Sequence, residues 1–358
     1  MITAAALLDI NLDAVADNIR LLQSRAPKAA MAGVVKANAY GTGMEQVAKV
    51  HRSLGTNTFF VATLDEGIAL RKVLGVGPEI GILGGLFHGA EGEYPAHDLM
   101  PVLNCLGDVE RWTEGRPAIL HIDTGMRRLG LDTKETERLK KDPSLVANLN
   151  TAIVMSHFAC ADEPGHPLTP EQFAKFNDIL ALFPKARKSL SNSAGIFVSA
   201  DYHFDLVRPG MAVYGLNPTS GEPNPMKPVV QIKTRILQIR DALDGETVGY
   251  AASHTAKGVR RIATVALGYA DGFLRSLSNR GKMFWRGQEV PIVGRVSMDL
   301  VTLDVTEVQG QPVAGDWVEV LGAGQDADTL AAAAGTIGYE ILTDLGNRYA
   351  RSYSGKSL

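Results

Sequence analysis

Short apolar runs alternate with helical patterns through the first two-thirds of the chain. The runs cover residues 32–36, 58–63, 80–83, 99–103, 118–123, 152–157, 188–191 and 204–207. Each is too short for a helix and carries few charges, as strands covered on both faces do. Stretches with helical spacing lie between them, at 13–24, 42–53, 65–73, 107–112, 134–140 and 170–182. In the first, Val15, Ile19 and Leu22 share one stripe; in the second, Val47 and Val50 do. Eight strand–helix units are the number that closes a barrel. The pattern predicts a (β/α)8 barrel over residues 1–225, although a doubly wound open sheet has the same alternation.

The texture changes near residue 217. Residues 217–228 are rich in Pro and Gly and read as a linker. Beyond them come β-type runs without intervening helices, at 229–239, 261–267, 283–285, 290–293, 300–305 and 317–321. Turn signals such as Asp244-Gly and Arg286-Gly separate them. Residues 329–345 have a helical pattern and 350–353 a final strand pattern. A mostly β C-terminal domain is expected over residues 226–358.

Composition narrows the class. The chain has 358 residues, 45% hydrophobic and 21% charged, as expected of a two-domain globular protein. A formal net charge of −3 gives no reason to expect nucleic acid or an anionic membrane as partner. No run of about 18 apolar residues is present, so no membrane span is expected. The N-terminal stretch lacks a basic n-region and is interrupted by Asp9 and Asp13, which argues against a signal peptide. Cys105 and Cys160 are too few for a disulfide framework and fit reduced thiols in a cytoplasmic protein. No metal site is expected.

Candidate chemistry begins at Lys36, which ends an apolar strand. Its ammonium should emerge at the C-terminal rim of the barrel, where barrel enzymes place their sites. Partial desolvation there frees the amine for a Schiff base; pairing with a rim carboxylate is the plainer alternative. Phosphate binding needs backbone N–H donors at a helix start or tight turn. Two such turns occur: Asn192-Ser-Ala-Gly, where Ser193 fits an N-cap, and Arg208-Pro-Gly-Met, where Gly210 allows close approach.

Read together, VVKANAYG, HIDTGMRRLG, SHFACAD, SNSAG, VRPGMAVYG, VGYAASH, ALGYADG and GRVSMD occur in one order across both proposed domains. In these stretches the chain resembles the alanine racemase family of pyridoxal-phosphate (PLP) enzymes. The resemblance implies that Lys36 carries PLP and is the base on the D face of the substrate. It implies that Tyr250, from the other subunit of a homodimer, is the base on the L face. Tyr40, Asn192, Ser193, Gly210 and Met211 would hold the cofactor. Arg208 would donate a hydrogen bond to the pyridine nitrogen, with His157 beside it. An Arg cannot readily surrender its proton to the ring, so the ring stays a weak electron sink and side reactions are limited. Arg128 and the Met298 backbone N–H of the partner chain would clamp the substrate carboxylate. Tyr269, Arg275, Arg295 and Asp162 would line the entry channel. The implied activity is two-base interconversion of L- and D-alanine, an isomerase reaction supplying D-alanine for peptidoglycan.

Three positions depart from the family pattern; one, Ala251 in place of a Gly common after the Tyr matched to Tyr250, is expected to have little effect. Many members carry a Lys where this chain has His121, and its carbamate steadies the Arg matched here to Arg128. Imidazole carries no such carbamate, so a bound anion or nearby carboxylate is expected beside Arg128 instead. Asn347 stands where some members have a Tyr, which suggests a roomier pocket that accepts serine. A racemase of broader specificity and a non-catalytic PLP carrier are the competing readings; the Tyr250 and Met298 stretches argue against the carrier.

Overall fold

Ala30–Met31 and Gly33–Val34 form one interrupted strand that opens the barrel. Parallel pairing then runs through Thr58–Val61, Glu79–Ile82, Met100–Leu103, Ala118–His121, Thr151–Met155 and Arg187–Ser189. Leu206–Val207 closes the ring. It pairs in parallel with Ala30–Met31, and on its other side the Asp205 N–H donates to Lys188 O and the Arg208 N–H to Ser191 O. The computed structural model, which describes residues 4–113 and 115–355, therefore has the (β/α)8 barrel rather than the open sheet. Phe59, Phe60, Val61, Ile119 and Leu120 are fully buried, as strands covered on both faces require. Phe60 fills the barrel interior: a Cβ on Gly81 would lie 2.7 Å from its ring and 2.8 Å from Ile119.

The main helices fall where the apolar stripes place them, and three of their starts carry side-chain caps. Asn11 caps Leu12–Arg25 by accepting the Ala14 N–H. Thr63 with Glu66, and Asp132 with Glu135, form capping boxes at Leu64–Leu74 and Thr133–Lys141.

The second domain is built on Val230–Ala242, which pairs with Trp317–Leu321 and, past an irregularity at residues 236–238, with Arg260–Val265. Ala6–Asn11, first in the chain, joins this sheet: it is antiparallel to Val230–Ala242 and parallel to Ala350–Ser354. Residues 217–228 are fastened rather than loose. The Asn18 side chain donates to Val213 O and Lys227 O, and Asp328 accepts the Asn217 N–H. The single helix expected over 329–345 is two, Ala327–Ala334 and Gly338–Thr343. Gly335 (φ 77°) turns left-handed and ends the first. Among the described residues no helix is long and apolar enough to cross a membrane.

One core group has a measurable consequence. His51, on Met44–Ser53, is fully buried; its Nδ1 meets Thr56 Oγ1 at 3.2 Å, and its Nε2 has no hydrogen-bond partner among the described residues. Burial pushes its pKa from 6.5 down to about 3. Between those values the unfolded chain binds a proton that the folded one refuses, so stability falls as pH falls. The loss from this group between pH 7 and pH 5 is about 2 kcal/mol. Denaturant unfolding at the two pH values should show that difference shrinking by this amount in His51→Phe, whatever the variant's baseline stability.

Candidate active site

Lys36 sits where its strand breaks into an unusual turn. Ala37, Asn38, Ala39 and Tyr40 all have φ between 51° and 54°, a complete left-handed turn without glycine, closed by Gly41 at φ 77°. Left-handed helix costs L-residues about 1–2 kcal/mol each, so the surroundings must hold this turn in place. The turn directs Tyr40 onto the Leu206–Val207 side of the barrel mouth, against Gly210. The Tyr40 ring stacks on Tyr214 at 4.6 Å, and Tyr214 is anchored by its hydroxyl to Val34 O. A Cβ on Gly210 would lie 2.3 Å from the Tyr40 hydroxyl, so only glycine permits that approach. Burial raises the pKa of Tyr40, which keeps it a neutral hydrogen-bond donor.

Ser193 faces the same spot. Its Oγ accepts the Gly210 N–H at 3.0 Å and the Ala212 N–H at 3.3 Å, leaving its own proton to donate outward. The intervening Met211 N–H has no partner among the described residues. Asn192 Oδ1 accepts the Gly195 N–H and shapes the turn before Gly195–Val198. Tyr339, which sequence reasoning did not single out, completes the wall. Its hydroxyl meets Met211 Sδ, its ring lies 6.1 Å from Tyr40, and burial pushes its pKa up to about 12.

Arg208 is buried at the strand end, and its partners are neutral. Nη1 donates to Ser189 Oγ and Nη2 to Ser156 O, both at 2.5 Å, with His157 Nδ1 at 3.4 Å from Nη2. Its guanidinium lies 6.0 Å from the centroid of the Phe60 ring. Among the described residues no carboxylate pairs with it, and its hydrogen bonds leave from Nη1 and Nη2, none from Nε. Burial, then the Arg208 charge, drive the His157 pKa well below its ordinary value. A neutral ring can accept from Arg208 at Nδ1, which puts its proton on Nε2. Burial also lowers the Lys36 pKa, with Arg128 adding to the effect and Glu66 opposing it. The amine is thus neutral at lower pH than an ordinary Lys, as a nucleophile requires.

His121 is shielded at the next strand end, with Nδ1 2.9 Å from Asn104 Oδ1. Burial, then Arg208, lower its pKa to about 4. Arg128 stands exposed at the mouth, within electrostatic reach of Lys36, His121 and His157. Among the described residues no carboxylate forms an ion pair with Arg128. The nearby Asp123 is engaged within its own turn, where its Oδ1 accepts the Gly125 and Arg127 N–H groups.

The remaining expected residues gather elsewhere. Tyr250 tips the hairpin of Thr247–Val248 and His254–Thr255 and is 71% exposed. A Cβ on Gly249 would lie 3.1 Å from the Arg295 backbone N, so the hairpin packs on that loop. The Tyr269 and Ala270 amides donate to Ser297 O and Met298 O. Arg348 staples both loops, donating to both Asp271 oxygens at 2.7 Å and to Asp299 at 2.6 Å. Tyr250, Tyr269, Arg275, Arg295 and Met298 are therefore exposed residues of neighbouring β-domain loops. Asp162 and Asn347 are exposed, Asp162 within electrostatic reach of Tyr339.

These residues fit pyridoxal phosphate. A buried guanidinium with a spare donor suits a pyridine nitrogen, and Tyr40, Ser193 and the free Met211 N–H form a cradle for phosphate. A desolvated amine stands at the same mouth. Barrel and cradle together define a PLP enzyme of the barrel-plus-β-domain class. The family profile described as "Alanine racemase, N-terminal domain" matches residues 10–218, and "Alanine racemase, C-terminal domain" matches 229–353. The chain belongs to the alanine racemase family. It is 47% identical over 361 residues to the alanine racemase of Rhodospirillum rubrum, covering 98% of this chain and 96% of that one. It is 45% identical to "Alanine racemase, catabolic" of Mesorhizobium japonicum, covering 98% and 94%. The crystal structure of the Bartonella henselae alanine racemase with covalently bound pyridoxal phosphate superposes with a TM-score of 0.95. It shares 38% identity, with 98% and 100% of the chains covered.

Proposed function

We propose that the protein interconverts L- and D-alanine with pyridoxal phosphate as cofactor. The observation that carries this reading is the meeting, at one barrel mouth, of the desolvated Lys36 amine and a buried Arg208 that has only neutral partners. When bound, the cofactor withdraws electrons from the substrate Cα and so weakens its Cα–H bond. Lys36 Nζ would hold the cofactor, and its neutral amine would take or return the substrate Cα proton on one face. Arg208 would donate to the ring nitrogen and keep its own proton near neutral pH, because burial lowers its pKa only to about 10 and the His157 beside it is held neutral. Ser193, Tyr40 and the Met211 N–H bind phosphate and fix the ring; Gly210 leaves room for it. Arg128 supplies positive charge for the substrate carboxylate.

A second base is needed on the opposite face, and Tyr250 fills that role from a second copy of the chain. Its exposure beside Tyr269 (44%) and Met298 (53%) gives the β domain an apolar, aromatic face suited to covering a partner's barrel mouth. The Met298 N–H then reaches the substrate carboxylate, and Arg275, Arg295 and Asp162 line the approach. The homodimer is isologous, with two shared sites. The C-terminal match over residues 229–353, which includes Tyr250, weighs against a non-catalytic carrier. We place the enzyme in the cytoplasm, where free Cys105 and Cys160 are at home, supplying D-alanine for peptidoglycan.

Incubation of the holoenzyme with L-alanine in D2O tests the reading. D-Alanine should appear with deuterium at Cα. Serine turned over as fast as alanine would establish the broader specificity instead, and retention of all Cα protium during inversion would sink the two-base scheme.

A further inference from the structure

The left-handed turn after Lys36 is held at both ends by charged side chains that the reaction itself does not use. At its start, Glu66 Oε1 accepts the Ala37 N–H at 2.6 Å. The other oxygen of that carboxylate accepts the Ala62 N–H at 2.8 Å and the Thr63 N–H at 3.3 Å. At the far end, Arg351 Nη1 donates to Gly41 O at 2.6 Å, and Gly41 lies against the Leu342 carbonyl. Inside, Asn38 Oδ1 accepts the Met44 N–H.

Glu66 stands at the third position of Leu64–Leu74, where a capping-box Glu reaches back to its own N-cap. That role needs only one carboxylate oxygen. The second is spent on the neighbouring strand–helix unit, on the amide next to the cofactor-bearing Lys. The bond matters because a run of left-handed residues is unfavourable in isolation. Without an acceptor for the Ala37 N–H, the chain has every reason to relax toward right-handed geometry at residues 37–40. Such a relaxation redirects Lys36 and withdraws Tyr40 from Gly210 together.

We propose that Glu66 is a positioning residue for Lys36: by holding the Ala37 amide, its carboxylate locks the left-handed turn that aims the amine into the barrel mouth. The proposal rests on Lys36 being the cofactor-bearing amine. Glu66 touches neither substrate nor cofactor and acts through the backbone. Its charge also opposes the lowering of the Lys36 pKa by burial and by Arg128.

Thr63 provides the control. Its hydroxyl accepts the Glu66 N–H in the same capping box, whereas the Ala37 N–H is given to Glu66. Thr63→Ala, Glu66→Ala and Glu66→Gln are compared for Tm, for kcat and KM, and for the rate at which apoenzyme captures pyridoxal phosphate on Lys36. Capture is read by borohydride trapping and peptide mapping. Glu66→Ala should slow capture roughly tenfold to a hundredfold and lower kcat similarly with KM little changed, the scale of one charged hydrogen bond lost. Glu66→Gln has one carbonyl oxygen for two sets of amides and should fall between Ala and wild type. Thr63→Ala should lose Tm yet keep capture and kcat within about twofold of wild type. If capture and kcat follow Tm equally in Thr63→Ala and Glu66→Ala, Glu66 is only a helix cap and the proposal is overturned. Should Glu66→Ala not fold, Glu66→Gln decides: slower capture at equal Tm supports the proposal, and wild-type capture overturns it. Trapped cofactor that maps to a residue other than Lys36 in the wild type refutes the functional reading itself, a result distinct from any of these.

Discussion

Lys36→Ala is expected to lower racemisation by about 10⁴-fold or more while leaving the fold intact. The residue has three duties at one nitrogen: it attaches the cofactor, exchanges with the substrate amine, and moves the Cα proton on one face. Removing a nucleophile and a base together costs more than either alone. Lys36 is half-buried at the barrel mouth and not part of the packed interior. Its loss removes an unfavourably desolvated cation, so Tm should hold or rise slightly. The measurement is kcat for alanine beside borohydride trapping. A variant that still traps pyridoxal phosphate, or still turns over within about tenfold of wild type, contradicts the assignment.

Tyr250→Phe is the second large effect, and it separates the two faces. Racemisation should fall by about 10²–10⁴-fold, the usual worth of a positioned acid–base group. Exchange of the Cα proton of D-alanine with D2O should continue, because Lys36 on that face is untouched. Stability should barely change, since a side chain 71% exposed in the free chain loses only its hydroxyl. Mixing the two inactive variants tests the shared site. When subunits redistribute at random, half of the dimers are mixed, and each mixed dimer has one site with both residues. Activity should recover to roughly a quarter of wild type. No recovery after verified subunit exchange would place Lys36 and Tyr250 in the same chain's site and overturn the dimer proposed here.

Much of this molecule is legible locally. The barrel strands are short, mostly buried apolar runs of two to five residues, and several of the helices between them carry stripes and caps that a neighbour-to-neighbour reading finds. The strand ends holding Lys36 and Arg208 and the turns at Ser193 and Gly210 were equally visible, because glycine and N-cap chemistry is written in adjacent residues. The break at Gly335 was also present in the sequence, but four alanines before it made the helical pattern look continuous.

Other features were not legible. Ala6–Asn11 reads as an alternating segment, yet its partners are residues 230–234 and 350–354. Nothing in six residues specifies pairing across more than 200. Glu66 was visible at most as a capping-box residue, three positions after Thr63, and its bond to Ala37 was not. Arg348 and Arg351 lie in a tail whose charges could have gone anywhere.

What the amino-acid order fixed unaided was therefore the inventory: which segments are strands, which are helices, and which side chains can donate, accept or attack. Folding in three dimensions decided what those groups face. It set a left-handed turn on Ala37, Asn38, Ala39 and Tyr40, of which only Asn38 readily adopts it, because contacts from Glu66, Arg351 and Leu342 outweigh the local preference. It gave Arg208 neutral partners and His157 a neutral ring, because burial and distance, not sequence neighbours, govern the energy of a charge. Backbone preference acts over a few residues; hydrogen bonding and desolvation act through space.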